Sequence, residues 1–109
     1  MEDEQAKKLI EIVAKYMKSE KGNYDGAVDL VAGILAKNSI PPSSLLELCY
    51  LCGSNEMYSL AYIFAKTSAS LSTGDLKATA HYNMGVASVF MGRLEEAEKQ
   101  YKLAPLVIG

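Results

Sequence analysis

The sequence predicts an all-α fold of six short helices paired as antiparallel hairpins. Apolar residues recur three and four positions apart along most of the chain, and short breaks rich in Gly, Pro, Ser and Asn interrupt that pattern. No segment alternates apolar and polar residues as a half-buried strand does. The 109 residues suffice for one domain with its own core, so we expect a single domain over residues 1–109.

The first two helices occupy the N-terminal third of the chain. The first helix has a stripe of apolar residues at helical spacing, formed by Ala6, Leu9, Ile10, Val13, Tyr16 and Met17. Gly22 and Asn23 interrupt this stripe, and the Asn23 side chain can cap a second helix over about residues 23–38. Two short helices in sequence therefore predict the first hairpin.

The remaining breaks define four more helices. Pro41 and Pro42 stop the second helix, and Ser43 or Ser44 is a suitable cap for a third helix at 45–52. The segment 53–55 separates it from a fourth helix at about 56–71. The loop 72–75 ends in Asp75, a good N-cap, and is followed by a fifth helix to about residue 91 and a sixth at 94–104.

Small residues recur where two helices of a hairpin would cross closely. Two backbones can approach only if the residues at the crossing are small. The candidate crossing pairs are Ala14 with Ala27, Cys49 with Ala61, and Gly85 with Ala97. The two members of a pair are 13, 12 and 12 residues apart, and successive pairs follow at 34 to 36 residues. This spacing predicts three helical repeats, at about 6–38, 43–71 and 75–105.

The third repeat resembles a tetratricopeptide repeat, a helix–turn–helix unit of about 34 residues. The likeness lies in the segments Ala80-His81-Tyr82-Asn83-Met84-Gly85 and Gly92-Arg93-Leu94-Glu95-Glu96-Ala97, followed by Tyr101 and Ala104. The first repeat fits in its second helix, at 22–27, and the middle one by register. The chain departs from the family pattern at His81, Ser88 and Pro105. The resemblance implies hairpins stacked as a short superhelix.

The same resemblance implies a binding groove and no catalytic activity. In this family the first helices of the hairpins line a concave groove that holds an extended peptide or a partner helix. By register, the residues facing it are Lys8, Glu11, Ile12 and Lys15, then Ser43, Leu46, Glu47 and Tyr50, then Thr79, Tyr82, Asn83 and Val86. The resemblance places Asn83 at a position where an asparagine side chain hydrogen-bonds the backbone of a bound peptide. Tyr50 and Tyr82 are residues of a type common at binding hot spots.

Carboxylates in this groove disfavour one well-known type of partner. A branch of the family clamps the C-terminal carboxylate of chaperones with several Lys, Arg and Asn side chains. Here Glu11 and Glu47 occupy groove positions that the clamp fills with Lys and Asn, and they would repel an incoming carboxylate.

A structural role is the alternative to groove binding. The fourth helix is apolar around most of its circumference, and the sequence ends in Leu106, Val107 and Ile108 without a polar capping helix. These three residues are candidates for the interface of a homodimer or of a subunit docked in a larger complex.

The residues most suggestive of chemistry have simpler structural explanations. Cys49 and Cys52 form a C-x-x-C motif, but it lies late in a helix, where the dipole opposes a thiolate, and zinc would need two further ligands. We expect both to be small core residues. His81, the only histidine, has no acidic partner nearby in sequence and occupies a packing position. We therefore expect no enzyme activity, no metal and no cofactor.

Charge and composition exclude two other classes of protein. The acidic residues near the start of the last helix, Glu95, Glu96 and Glu98, fit a solvated face at the positive end of the helix dipole. The net charge is -2 and Arg93 is the only arginine, so we expect no nucleic-acid partner. No uncharged run reaches the ~20 residues of a membrane helix, and the acidic start does not resemble a signal segment. We expect a cytoplasmic protein without membrane insertion.

Overall fold

The computed structural model describes residues 4–17 and 25–104, and these residues form an all-α fold of six helices. The helices are α1 (Glu4–Met17), α2 (Asp25–Lys37), α3 (Pro42–Ser54), α4 (Tyr58–Leu71), α5 (Gly74–Phe90) and α6 (Leu94–Leu103). No strand occurs within the described ranges. The predicted fold class is therefore confirmed, and each predicted helix is present.

Two helices begin earlier than their predicted caps. Pro41 is the N-cap of α3 and Pro42 its first residue, so the prediction of Ser43 or Ser44 as the cap is wrong. Proline is tolerated there because an N–H group in the first turn of a helix has no acceptor within the helix, so its absence breaks no hydrogen bond. Likewise, Asp75 lies inside the first turn of α5 rather than capping it. The predicted cap of α2, Asn23, lies outside the described residues.

The second and third hairpins each have the same type of backbone turn between their two helices. In the α3–α4 turn the Met57 N–H donates to the Cys52 carbonyl at 2.8 Å, and in the α5–α6 turn the Arg93 N–H donates to the Ser88 carbonyl at 2.8 Å. The residue before each donor has a positive φ, 61° at Glu56 and 76° at Gly92. These are left-handed helix ends of the Schellman type. The turn recurs after 36 residues, within the predicted repeat spacing.

One core joins the hairpins. Helix α4 packs between α3 and α5, α6 packs on α5, and the first hairpin joins through contacts of α1 with α3 and of α2 with α4. Side chains from both halves of the chain are fully buried there, including Leu9, Val31, Leu45, Leu60 and Phe64. Ile10 departs from its predicted place on the apolar stripe of the first helix, because it is 47% exposed.

Gly85 lies directly against the Tyr101 ring where α5 and α6 pack. A Cβ atom on Gly85 would lie 2.5 Å from the Cε1 atom of the Tyr101 ring, so a larger residue at this position would force the ring to shift from its place on α5. The residues of the two later predicted pairs, Cys49, Ala61, Gly85 and Ala97, are all buried. The side chains of the first predicted pair, Ala14 and Ala27, lie outside the described part of the chain.

Candidate functional site

An open groove lies where the end of α3, the start of α4 and the second half of α5 meet. It has a volume of about 420 Å³. Its large side chains are Tyr50, Tyr58, Tyr82, Asn83, Val86 and Phe90. Buried small residues, Cys49, Ala61 and Ala87, border it from the core side. Among the described residues, none that lines the groove carries a formal charge.

Helical spacing places three of these side chains in one row. Tyr82, Val86 and Phe90 follow one another at intervals of four along α5, so they share a face of the helix. The Phe90 ring stacks on the ring of Tyr58 at the start of α4, with the ring centroids 4.7 Å apart and the planes at 5°. This stack joins the two hairpins at one end of the groove.

The polar atoms of the groove come from an amide and a phenol. Asn83 Nδ2 donates to the Tyr50 hydroxyl across the gap between α5 and α3 at 3.4 Å, a long and therefore weak hydrogen bond. On the other side, the Tyr82 ring contacts the Tyr101 ring, with centroids 5.6 Å apart. The groove can therefore offer hydrogen bonds to a bound chain while its aromatic walls supply apolar contact.

Four of the ten residues assigned to the groove from the sequence line this cavity, namely Tyr50, Tyr82, Asn83 and Val86. The other six lie elsewhere: Lys8, Glu11, Lys15 and Glu47 are exposed, and Ile12 and Thr79 are half-buried. Of the two further positions assigned by register, Ser43 is exposed, whereas Leu46 is a core residue with 5% exposure. The structure thus assembles the groove from the second and third hairpins.

Sequence reasoning missed two aromatic residues of the groove, Tyr58 and Phe90. The spacing signal for Phe90 was available, because it lies four residues after Val86 on the same face of α5. No comparable signal exists for Tyr58, whose place beside Phe90 depends on how α4 packs against α5.

The two cysteines are free and buried, in agreement with their assignment as core residues. Burial raises the pKa of the Cys49 thiol to about 11. Burial and the neighbouring Cys49 together raise the pKa of the Cys52 thiol to about 12. Both side chains are therefore thiols rather than reactive thiolates at neutral pH. Within 4–17 and 25–104, no three side chains of the metal-binding types come together.

A chain of polar side chains connects α4, α5 and α6 away from the groove. The Tyr62 hydroxyl donates to Glu96 Oε2 at 2.6 Å, and Gln100 Nε2 donates to the same oxygen at 2.7 Å. His81 Nδ1 lies 2.7 Å from Gln100 Oε1, which can only accept, so this histidine nitrogen carries the proton. His81 thus bridges α5 and α6, as its packing position predicted.

Glu96 is therefore more than part of a solvated acidic face. Hydrogen bonds from Tyr62 and Gln100 lower the pKa of the Glu96 carboxyl. Burial and the bond to Glu96 raise the pKa of Tyr62 to about 12. Glu95 and Glu98 are exposed as predicted, and Glu98 forms an exposed ion pair with Lys102.

The terminal hairpin leaves a second apolar surface open. Its large exposed side chains outside the groove are Val89, Leu94, Tyr101 and Leu103. The predicted interface residues, Leu106, Val107 and Ile108, lie outside the described residues.

Comparisons with protein families, with curated proteins and with solved structures found no match for this chain. The tetratricopeptide resemblance therefore stays a prediction. In the described part of the chain, no helix has the length and apolar character needed to cross a membrane.

Proposed function

We propose that this chain is a non-catalytic, tetratricopeptide-like interaction module in the cytoplasm, which holds a segment of another protein in the groove between α3, α4 and α5. One observation carries the proposal. Three exposed aromatic side chains, Tyr50 at 54%, Tyr82 at 56% and Phe90 at 62%, line this one cavity. Aromatic side chains grouped on a concave surface are typical of protein-binding sites.

The exposed area of these rings sets the affinity that we expect. Covering the remaining half of three aromatic side chains removes about 300 Å² from water, worth about 7 kcal/mol at 25 cal/mol per Å². Association itself costs about 4 kcal/mol or more. At most about 3 kcal/mol remains, so the three rings alone support binding with a dissociation constant in the millimolar range or weaker. A module of this kind serves transient contacts or acts together with other contacts.

Selection from a random-peptide display library, followed by titration of the selected peptides, tests this function. Tyr82→Ala and Asn83→Ala should weaken binding by about tenfold, as expected for central contacts, with unchanged helical circular dichroism. Leu71→Ala is the matched control, because Leu71 is 52% exposed on α4 and does not line the groove. Equal loss of binding in the control, or no loss in either groove variant, would contradict the proposal.

A second candidate function is that of a structural subunit assembled through the terminal hairpin. It is favoured by the exposure of two leucines on α6, Leu94 at 66% and Leu103 at 49%. The molar mass from light scattering, measured over a range of protein concentrations, distinguishes the structural subunit from the groove-binding module. A stable dimer that Leu94→Asp or Ile108→Asp converts to an 11.8 kDa monomer supports the structural role. A monomer at all concentrations supports the groove.

A further inference from the structure

The groove combines aromatic walls, no charge and hydrogen-bond donors at its edge. Four of its large side chains are aromatic, and Val86 is its only large aliphatic one. An acidic or basic peptide would find no opposite charge among the lining residues. The segment that fills this groove is therefore uncharged where it makes contact.

The donors favour an occupant that offers carbonyl groups. The Tyr50 hydroxyl accepts from Asn83, so its own proton remains available to a ligand. The carboxamide of Asn83 has a second N–H that can point to the same ligand. A bound helix would leave these donors without main-chain partners, because it uses nearly all its carbonyls internally. An extended segment keeps its carbonyls free.

Proline-rich chains in the polyproline II conformation meet both conditions. Their backbone has no internal hydrogen bonds, prolines have no N–H to leave unpaired, and their rings pack on aromatic side chains. Their preformed conformation also lowers the entropy cost of binding, which matters for a shallow and open site. The row from Tyr82 to Phe90 is about 12 Å long, which about four polyproline II residues span.

We propose that the groove formed by Tyr50, Tyr58, Tyr82, Asn83 and Phe90 binds an uncharged, proline-rich segment in the polyproline II conformation. This inference rests on the proposed groove function and specifies its ligand. The aromatic rings hold the proline rings, while the Tyr50 hydroxyl and the Asn83 amide donate to carbonyls of the segment.

A titration of the ¹⁵N-labelled full chain followed by NMR tests the proposal. The probe is an acetylated and amidated proline oligomer of about ten residues, long enough to form polyproline II. The control is a glycine–serine oligomer of equal length, which is equally uncharged but flexible. We expect the proline oligomer, and not the control, to shift the amide resonances of Tyr50, Asn83, Val86 and Phe90.

Three variants connect the binding to the groove. Phe90→Ala should weaken binding of the proline oligomer by about tenfold, as for loss of an aromatic anchor. Tyr50→Phe should weaken it by about threefold to tenfold, because it removes the hydroxyl that donates to the segment and accepts from Asn83. Leu71→Ala should leave it unchanged. If Phe90→Ala loses helical circular dichroism, Tyr50→Phe decides, since it keeps the ring and therefore the packing.

Two further peptides separate failure of this inference from failure of the proposed function. One is an uncharged amphipathic helical peptide, and the other comprises residues 103–109 of this chain. If either shifts the groove resonances at lower concentration than the proline oligomer, the polyproline II inference is wrong but the groove function stands. If no probe shifts them and display selection also yields no groove-dependent peptide, both proposals are refuted. Equal binding of the proline and glycine–serine oligomers also overturns the inference.

Discussion

Replacing Glu56 by glycine should stabilise this protein, although it removes a side chain. Glu56 lies in the turn after α3 with a φ of 61°, in the left-handed region, whereas the same turn after α5 has Gly92 with a φ of 76°. This conformation costs a residue with a Cβ atom about 1–2 kcal/mol relative to glycine, because the Cβ atom crowds the following carbonyl oxygen. The Glu56 side chain is exposed, so its removal has little further effect.

The net gain follows from two opposing contributions. Relief of the left-handed strain adds about 1–2 kcal/mol, and the greater freedom of glycine in the unfolded chain removes about 0.5–1 kcal/mol. Glu56→Gly should therefore raise the free energy of unfolding by about 1 kcal/mol, and the melting temperature by about 4 °C. Urea denaturation should show a higher midpoint with an unchanged slope.

Two matched variants separate backbone strain from other causes. Glu56→Ala keeps a Cβ atom and the strain, so its stability should stay within about 0.5 kcal/mol of the parent. Gly92→Ala should lower the free energy of unfolding by about 1 kcal/mol, because it introduces a Cβ atom at a residue with left-handed backbone conformation. A Cβ atom at Gly92 would have no atom within 4 Å beyond its chain neighbours, so no steric clash with another segment contributes. If Glu56→Gly is no more stable than Glu56→Ala, the reasoning is wrong.

Three further predictions concern the core and the polar chain. Gly85→Ala should lower the free energy of unfolding by about 1–3 kcal/mol in urea titrations, since its Cβ atom would collide with a ring on α6; an unchanged midpoint would show that this ring moves freely. Tyr62→Phe should cost about 1 kcal/mol, because Glu96 loses a hydrogen bond. Because the folded pKa of Tyr62 is raised from 10.0 to about 12, its contribution is complete below pH 10 and is lost as pH rises towards 12. The pKa of Glu96 is lowered in the folded state, so the stability that its carboxylate contributes is lost at low pH, as the pH falls through this folded-state pKa. Thermal melts across pH should show both losses in the parent and weaker ones in Tyr62→Phe. Cys49 and Cys52 should react with a thiol reagent only as fast as the chain opens, because both are buried with raised pKa values; rapid labelling of the folded protein would contradict this.

The groove shows how far register alone predicts a binding site. Tyr82, Asn83 and Val86 were assigned to the groove by the register of the tetratricopeptide resemblance, and all three line the cavity. Lys8, Glu11 and Lys15 were assigned to the same groove by repeat spacing, but the structure does not bring them into its lining. Repeat spacing fixes where a residue lies on its own helix and leaves open how far one hairpin stands from the next.

The sequence by itself determined the all-α class, the six helices and the small, buried residues at Gly85 and Ala97. These depend on interactions between residues close in the chain, through helical spacing, breaks and small side chains. Only the tertiary structure decided that Tyr58 stacks on Phe90, that Glu96 accepts a hydrogen bond from Tyr62, and that Leu46 is buried. The first two pairs are 32 and 34 residues apart, and no local pattern records the packing angle that brings them together.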